Sequence, residues 1–266
     1  MTDPILITGG SSGIGRAVAK LAAARDIPVA ITYRNRKEKA LALVDSLAKK
    51  GKEAYAIALD VTSEKAIVAA FEHVDQLLGS RILGGLVNSA GIGGPHGPIE
   101  SFEAAGLAEL WATNLTATIL ASREAVARFR KRPQGGAIVN VSSMAATIGG
   151  RPGAAAYAAS KAAVDAFTVG LAKELAAAKI RVNAVRPGAT DTAMLEAVVS
   201  NPQALAAVSR TIPIHRIATA EEVARPILWL LSEEASFVTG ARLDVSGGGF
   251  VIPGFGQPQV HEQAAQ

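Results

Sequence analysis

The chain has 266 residues, of which 49% are apolar, 5% aromatic and 19% charged, and its net charge is +4. This length fits one or two domains, and the apolar share is sufficient for a large core without cross-links. The chain contains no cysteine, which excludes disulfides, thiolate metal sites and cysteine nucleophiles and favours a reduced cytoplasm as its location.

The remaining composition argues against several partners. Neither a basic, apolar leader nor a long apolar run is found, so no signal peptide and no membrane span are predicted. The basic residues concentrate at 34–39 with few aromatic residues nearby, so a small anionic ligand is expected there rather than nucleic acid. His73, His96 and His215 lie far apart without carboxylates at ligand spacing, and no metal site is predicted.

Short apolar runs alternate with longer helical patterns along the chain. Strands are predicted over residues 5–8, 28–33, 53–59, 82–88, 136–141, 180–185 and 241–245. Helices are predicted over residues 14–25, 37–50, 64–78, 107–130, 153–178 and 220–231. Such alternation predicts the α/β class, a single doubly wound Rossmann domain with a mostly seven-stranded parallel sheet and helices on both faces. We expect this domain to span 1–249, with a substrate lid at about 192–214 and a tail at 250–266.

The first predicted strand runs directly into a glycine-rich turn, Thr8-Gly-Gly-Ser-Ser-Gly-Ile-Gly15, and a helix follows. Glycines allow a tight turn and a close approach of the backbone to a pyrophosphate, and the helix start supplies free N–H groups. The turn therefore predicts a dinucleotide site. Its assigned contacts are Gly9, Ser11, Ser12, Gly13, Ile14 and Gly15.

The end of the second predicted strand indicates which dinucleotide binds. It reads Val29-Ala-Ile-Thr-Tyr-Arg-Asn-Arg36 and lacks the acidic residue that would hold the ribose hydroxyls of NAD. Arg34 and Arg36 can instead hold a 2′-phosphate through charged hydrogen bonds, so NADP(H) is favoured. Tyr33 occupies the acidic slot, so use of NAD(H) stays open. Tyr33, Arg34, Asn35 and Arg36 are assigned to the cofactor.

A second motif, Tyr157-Ala-Ala-Ser-Lys161, lies in an alanine-rich stretch. Alanine favours a helix, and residues four apart on a helix share one face. The phenol and the ammonium could then meet at one point of a cleft. By itself, the pair fits two ordinary surface residues equally well.

Taken together, these motifs resemble the short-chain dehydrogenase/reductase family over residues 5–249. Asn88-Ser-Ala-Gly91 is similar to the family's Asn-Asn-Ala-Gly, with Ser89 as a departure. Ser143 is preferred over Ser142 because the second serine of Val-Ser-Ser matches the family pattern. The other matching residues are Asp60, Val61, Asn114, Tyr157, Lys161, Pro187, Gly188 and Thr192.

The resemblance implies an NADP(H)-preferring oxidoreductase that transfers hydride between the nicotinamide and a carbonyl or secondary alcohol. Tyr157 would be the acid/base, and Lys161 would lower its pKa and hold the nicotinamide ribose. Ser143 would orient the carbonyl, and Asn114 would support a proton relay. Further cofactor contacts are implied for Asp60, Val61, Asn88, Ala90, Gly91, Tyr157, Lys161, Pro187, Gly188, Thr190 and Thr192.

The substrate is less well defined by the sequence. Residues 212–223 resemble both 3-oxoacyl-acyl-carrier-protein reductases and glucose 1-dehydrogenases. The apolar lid favours a hydrophobic or acyl ketone over a sugar, which stays the alternative. A dinucleotide sensor without turnover would be expected to lack the tyrosine or the lysine. The resemblance also implies a homotetramer formed through helices near 107–130 and 153–178 and the last strand.

Overall fold

The computed structural model of the protein describes residues 3–249, so the predicted tail at 250–266 lies outside the described residues. Seven strands form one parallel sheet in the order β3-β2-β1-β4-β5-β6-β7. The strands are β1 Ile5–Thr8, β2 Val29–Tyr33, β3 Ala54–Ala58, β4 Gly85–Asn88, β5 Gly136–Val141, β6 Ile180–Pro187 and β7 Arg242–Val245. The predicted doubly wound, parallel Rossmann fold is confirmed.

Ten α-helices lie within the described residues 3–249. They are α1 Gly13–Ala23, α2 Lys37–Ala48, α3 Glu64–Leu78, α4 Ala104–Trp111, α5 Ala117–Phe129, α6 Ala145–Ile148, α7 Ala155–Leu175, α8 Glu196–Val199, α9 Pro202–Arg210 and α10 Ala220–Leu231. Within these residues, no helix is long and apolar enough to cross a membrane.

The helices cover both faces of the sheet. Helices α1, α2 and α10 pack on one face around Val18, Leu43 and Leu228. Helices α3, α5 and α7 pack on the other face around Phe71 and Phe129. Burial on two faces explains why the strands are nearly continuous apolar runs rather than alternating ones.

Four predicted elements differ from the structure. Residues 82–84 precede β4 without joining it, and β6 continues two residues further, to Pro187, because β7 pairs with it there. The helix predicted over 107–130 is divided by a π-helical turn, Ala112–Thr116. The predicted lid forms a short 3₁₀ turn followed by α8 and α9.

The strand order determines where the functional crevice lies. Strand β1 pairs with β2 on one side and with β4 on the other. The chain therefore continues from β1 towards one edge of the sheet and from β4 towards the opposite edge. In doubly wound sheets, ligands bind at the carboxyl ends of the strands beside this switch point. Thr8 and Asn88 are paired residues at these two strand ends, and the glycine-rich turn and the loop at 89–98 begin there.

Candidate active site

The glycine-rich turn forms a cradle that side chains would fill. Gly9 and Gly13 have φ angles of +67° and +51°, which L-residues with side chains rarely adopt. A Cβ atom on Gly9 would lie 2.9 Å from Cα of Ala90, and one on Gly15 would lie 2.8 Å from the carbonyl oxygen of Gly9. Ser12 precedes α1 without a side-chain cap. The turn therefore fits a pyrophosphate at the start of α1.

Two threonines that the motif assignment left out hold this cradle in place. The hydroxyl of Thr8 accepts hydrogen bonds from the backbone N–H groups of Ser89 and Ala90, at 3.0 and 3.1 Å. The hydroxyl of Thr32 accepts one from the N–H of Gly9, at 3.2 Å. Thr8 thereby fixes the loop after β4 against the turn after β1. Its place beside the first glycine was the sequence signal for this role.

The residues after β2 and β3 meet at the adenosine end. The carboxylate of Asp60 accepts hydrogen bonds from the N–H and hydroxyl of Thr62, at 3.0 and 2.8 Å. These bonds, followed by the charge of Arg34, lower the pKa of Asp60. Arg34 also contacts Glu109 on α4, at 3.5 Å. Arg34 is thus placed near the predicted adenosine contacts, and Asn35 and Arg36 are exposed beside it.

Asn88 was expected to line the adenosine ribose, but its side chain faces the interior. Its amide nitrogen donates to Oδ1 of Asn140, at 2.9 Å, and to the hydroxyl of Ser122, at 3.2 Å. Asn140 in turn donates to Thr168 on α7, at 2.9 Å. The Asn88 side chain therefore joins β4 to β5 and α5, because buried amides must find partners. Only the backbone of Asn88 is therefore available to contact a ligand in the crevice.

Asn114 lies within the π-helical turn and fastens the loop after β4. Its Oδ1 accepts a hydrogen bond from the N–H of Ile92, at 2.9 Å, and its Nδ2 donates to the carbonyl oxygen of Ile92, at 3.0 Å. Nδ2 also donates to the hydroxyl of Ser160, at 3.0 Å. Both ends of the amide are hydrogen-bonded to protein groups, so the side chain holds the loop at Ile92 against α7. π-turns of this kind often mark functional sites.

The two adjacent serines after β5 face different environments. Ser142 is buried, and its hydroxyl donates to the carbonyl oxygen of Lys161, at 3.2 Å. Ser143 is partly exposed, and its hydroxyl accepts a hydrogen bond from the N–H of Ala145, at 3.1 Å. The Ser143 side chain also lowers the pKa of the Tyr157 phenol. Ser143, unlike the buried Ser142, is therefore accessible from the crevice.

Tyr157 and Lys161 lie one turn apart on α7 and approach each other. The ammonium nitrogen is 5.9 Å from the centre of the phenol ring. It donates to the carbonyl oxygen of Val141, at 2.8 Å. A Cβ atom on Gly91 would lie 3.5 Å from this nitrogen and 3.4 Å from Oδ1 of Asn114. The ends of β4 and β5, the π-turn and α7 therefore converge on Lys161.

The expected lowering of the Tyr157 pKa is not found in this structure. Burial raises the pKa of Tyr157, and only the hydrogen bond with Ser143 opposes that effect. Burial also lowers the pKa of Lys161 to about 8, against the opposing charge of Asp165. Desolvation disfavours the charged form of both groups, and it outweighs the opposing effects of Ser143 on Tyr157 and of Asp165 on Lys161.

The segment after β6 closes the other side of the crevice. A Cβ atom on Gly188 would lie 3.0 Å from Cα of Ser246, and one on Gly13 would lie 3.2 Å from the methyl group of Thr192. The hydroxyl of Thr190 donates to the carbonyl oxygen of Gly188, at 3.0 Å. A cavity of about 550 Å³ lies beside Gly13 and Thr192, between α1, α8 and the start of α10. The glycine cradle and the lid thus share one opening.

Comparison with known proteins agrees with this arrangement. A family model described as enoyl-(acyl carrier protein) reductase matches residues 9–249. The oxidoreductase YgfF of Escherichia coli (strain K12), itself uncharacterized, is 42% identical over 245 residues, which cover 91% of this chain and 98% of YgfF. A short-chain type dehydrogenase/reductase from Mycobacterium ulcerans superimposes with a TM-score of 0.85 at 32% identity, covering 93% of this chain and 89% of that one.

The chain belongs to the short-chain dehydrogenase/reductase family. It is an oxidoreductase of this family, whose members bind a nicotinamide cofactor. Two further similar structures contain different cofactors. A blue fluorescent protein from a metagenomic library was solved with NADPH (TM-score 0.84, 33% identity, covering 92% of this chain and 97% of that one). A 3-ketoacyl-(acyl-carrier-protein) reductase from Brucella melitensis was solved with NADH (TM-score 0.83, 32% identity, covering 92% and 97%).

In this short-chain dehydrogenase/reductase, most of the predicted site residues come together at the carboxyl end of the sheet. Gly9, Asn114, Ser143, Tyr157 and Lys161 line or support one crevice. The predicted site did not include Thr8, Thr32 and Ser160, whose hydroxyl groups bond the loop after β4, the glycine-rich turn and Asn114. Ser160 had a sequence signal, since it lies inside the Tyr157-Ala-Ala-Ser-Lys161 motif.

Proposed function

We propose that this protein is an NADP(H)-preferring oxidoreductase that transfers hydride between the nicotinamide and a carbonyl or secondary alcohol group. The convergence of Ser143, Tyr157 and Lys161 at the carboxyl ends of β4 and β5 carries this proposal. When bound, the dinucleotide supplies or accepts the hydride. The protein's own residues then manage the proton and the orientation of the substrate.

Tyr157 is the acid/base in this proposal. Its phenol gives a proton to the carbonyl oxygen during reduction and takes one from the alcohol during oxidation. Because burial raises the pKa of Tyr157, the phenol stays protonated at neutral pH and suits the acid role. Acid–base catalysis of this kind contributes about 10²–10⁴ in rate.

Ser143 and Lys161 assist the phenol. The hydroxyl of Ser143 donates to the same substrate oxygen and holds it beside Tyr157. The Lys161 ammonium favours the phenolate that forms when Tyr157 gives up its proton, and it holds the nicotinamide ribose. Asn114 keeps the loop at Ile92 in position through its two hydrogen bonds. By holding this loop beside Lys161, it supports the proposed proton relay.

Arg34 and Arg36 are proposed to select NADP(H) over NAD(H). Both follow β2, the charge of Arg34 acts on Asp60, and no acidic residue occupies residues 27–37. A guanidinium can hold a 2′-phosphate through two charged hydrogen bonds. The remaining proposed cofactor contacts are those of the glycine cradle, the loop after β4 and the segment 187–192.

The proposed substrate is a 3-oxoacyl compound or another hydrophobic ketone. Met194 in the lid exposes a large apolar side chain, and the similar Brucella melitensis protein is a 3-ketoacyl-(acyl-carrier-protein) reductase. A sugar dehydrogenase is the second candidate. The exposed groups Asp191 and Glu196 at the lid favour it, since hydroxyl groups bind well to carboxylates.

A homotetramer is proposed as the functional assembly. Ile119 on α5 and Phe237 before β7 expose large apolar side chains, as subunit contacts use. Light scattering at micromolar concentration tests this proposal, and a monomer would contradict it.

The test of the function is a panel of ketones with NADPH and NADH, repeated on Tyr157→Phe. This change deletes only the proton-transferring hydroxyl, so turnover should fall by about 10²–10⁴ while cofactor binding, followed by fluorescence, stays near that of the wild type. Tyr55→Phe is the matched control, because the Tyr55 hydroxyl contacts Glu53 on the surface. Tight cofactor binding without turnover on any substrate would instead identify a dinucleotide sensor.

A further inference from the structure

A buried carboxylate on α7 has no role in the site described so far. Asp165 lies one helical turn after Lys161, and only 4% of its surface is exposed. Its Oδ2 accepts a hydrogen bond from Nε of Arg186, at 2.7 Å. Its Oδ1 is buried without a hydrogen-bond partner among the described residues. A half-satisfied buried carboxylate is destabilising, so its presence calls for an explanation.

The position of Asp165 connects it to Lys161. Residues four apart on a helix share a face, and Lys161 is also buried, with 6% of its surface exposed. The two groups do not neutralise each other by direct contact, since the ammonium bonds the carbonyl oxygen of Val141 and the carboxylate bonds Arg186. They act on each other through a poorly screened interior, where charges interact over longer distances than in water.

The groups in contact with the Lys161 ammonium are neutral, so Asp165 is the negative charge that acts on it among the described residues. Tyr157 faces the ammonium from α7, the Val141 carbonyl from β5 and the Asn114 amide from the π-turn, and all three are neutral. On the far side of Asp165, Arg186 also contacts the exposed Asp244 of β7, at 3.3 Å. Among the described residues, Asp165 alone opposes the effect of burial and raises the pKa of Lys161.

We propose that Asp165 is a positioning residue that keeps the Lys161 ammonium charged beside Tyr157. The guanidinium of Arg186 partly compensates the Asp165 carboxylate and so weakens its effect on Lys161. This inference rests on the proposed function, in which a charged Lys161 favours the phenolate and binds the ribose. A neutral amine could do neither.

The first experiment follows Lys161 directly. The ¹³Cε shift of Lys161 is titrated by NMR in protein labelled at lysine, with its signal assigned by its loss in Lys161→Arg. In Asp165→Asn the titration midpoint should fall by about one pH unit. The alkaline limb of kcat/KM for carbonyl reduction should move down by the same amount. Asp165→Glu should restore part of both shifts.

Two further variants make the result decisive. Asp244→Asn removes the other carboxylate on the same guanidinium and should leave the midpoint within error of the wild type. Arg186→Gln should move the midpoint upward, because the Asp165 charge is then uncompensated. If Asp165→Asn does not fold, the shift in Asp165→Glu is compared instead, and a downward shift in Arg186→Gln still overturns the inference.

The outcomes separate this inference from the proposed function. An unchanged midpoint in folded Asp165→Asn, or a downward shift in Arg186→Gln, would overturn the role of Asp165 even in an active enzyme. A shifted midpoint in a protein that turns over no substrate would instead leave the charge relationship in place and remove the proposed function.

Discussion

The guanidinium of Arg34 and the carboxylate of Glu109 lie 3.5 Å apart and join the residue after β2 to helix α4. The proposed ligand of the 2′-phosphate thus already has an anionic partner. Both side chains are largely exposed, so the pair is weak and a phosphate can displace the carboxylate. If Arg34 binds the 2′-phosphate as proposed, Glu109 competes with NADP(H) for it and should reduce the preference for NADP(H).

Replacing Glu109 tests this competition. Glu109→Gln should tighten NADPH binding by about 1.4- to 5-fold, since exposed ion pairs contribute ~0.2–1 kcal/mol. NADH binding should stay unchanged, and added salt should reduce the difference. Fluorescence titration of both cofactors measures the effect. Glu103→Gln, at the start of the same helix, is the control. An equal change for the two cofactors would show that Glu109 acts on something other than the 2′-phosphate.

Removing Arg34 should have the opposite and larger effect. Hydrogen bonds to charged groups contribute about 1.5–3 kcal/mol. Arg34→Ala should therefore lower the ratio of kcat/KM for NADPH over NADH by about 10- to 150-fold, with little change for NADH. Arg25→Ala on the surface after α1 is the matched control. A wild-type ratio at or below one would end the proposed preference itself.

The two adjacent serines should separate catalysis from stability. Ser143→Ala removes the donor to the substrate oxygen and should lower kcat by about 10²–10³, which corresponds to ~2.7–4 kcal/mol of barrier. Ser142→Ala removes a buried bond to the Lys161 carbonyl and should lower stability by about 1 kcal/mol while retaining most activity. Steady-state kinetics and urea unfolding of both variants supply the measurements. Equal losses of kcat would contradict the assignment.

Asn114 should act as a clamp on the loop at Ile92. Asn114→Ala leaves the N–H and carbonyl groups of Ile92 without their partners, and should lower stability by about 2 kcal/mol or more. Hydrogen exchange at Ile92 should accelerate and turnover should fall. Asn183→Ala, which removes comparable bonds to Val238 and Ala241, is the control. It should destabilise the protein without changing exchange at Ile92.

Burying Lys161 should reduce stability at neutral pH. Its pKa is lowered from 10.5 to about 8 in the folded protein, so between these values the unfolded chain binds more protons and stability rises with pH. The full penalty, on the order of 3 kcal/mol, applies below pH 8. Lys161→Met should therefore be inactive but more stable at pH 7.

Urea unfolding of the wild type and Lys161→Met at pH 7, 8, 9 and 10 checks this sign. The stability advantage of the variant should shrink as the pH rises from about 8 towards 10.5. Taking the difference between the two proteins cancels the titration of the other groups. An advantage that does not change with pH would mean that Lys161 titrates at its ordinary value.

Much of the fold could be predicted because its signals are local. The apolar strand runs, the glycine-rich turn after Thr8 and the helical spacing of Tyr157 and Lys161 all extend over fewer than two dozen residues. The π-turn at Asn114 could not be predicted, since the partners of the Asn114 side chain, Ile92 and Ser160, are distant along the chain. The lid helices were also missed, because α8 and α9 span only 4 and 9 residues, too short for a clear helical pattern.

The sequence by itself determined the parallel α/β architecture, the dinucleotide turn and the residues of the Tyr157–Lys161 pair. Tertiary structure decided that the Asn88 side chain faces inward and that Asp165 lies one helical turn beyond Lys161 with its carboxylate buried. It also decided the direction of the Tyr157 pKa shift. The reason is physical: periodicity and turn chemistry act between near neighbours, whereas desolvation and through-space charge depend on which distant elements pack together.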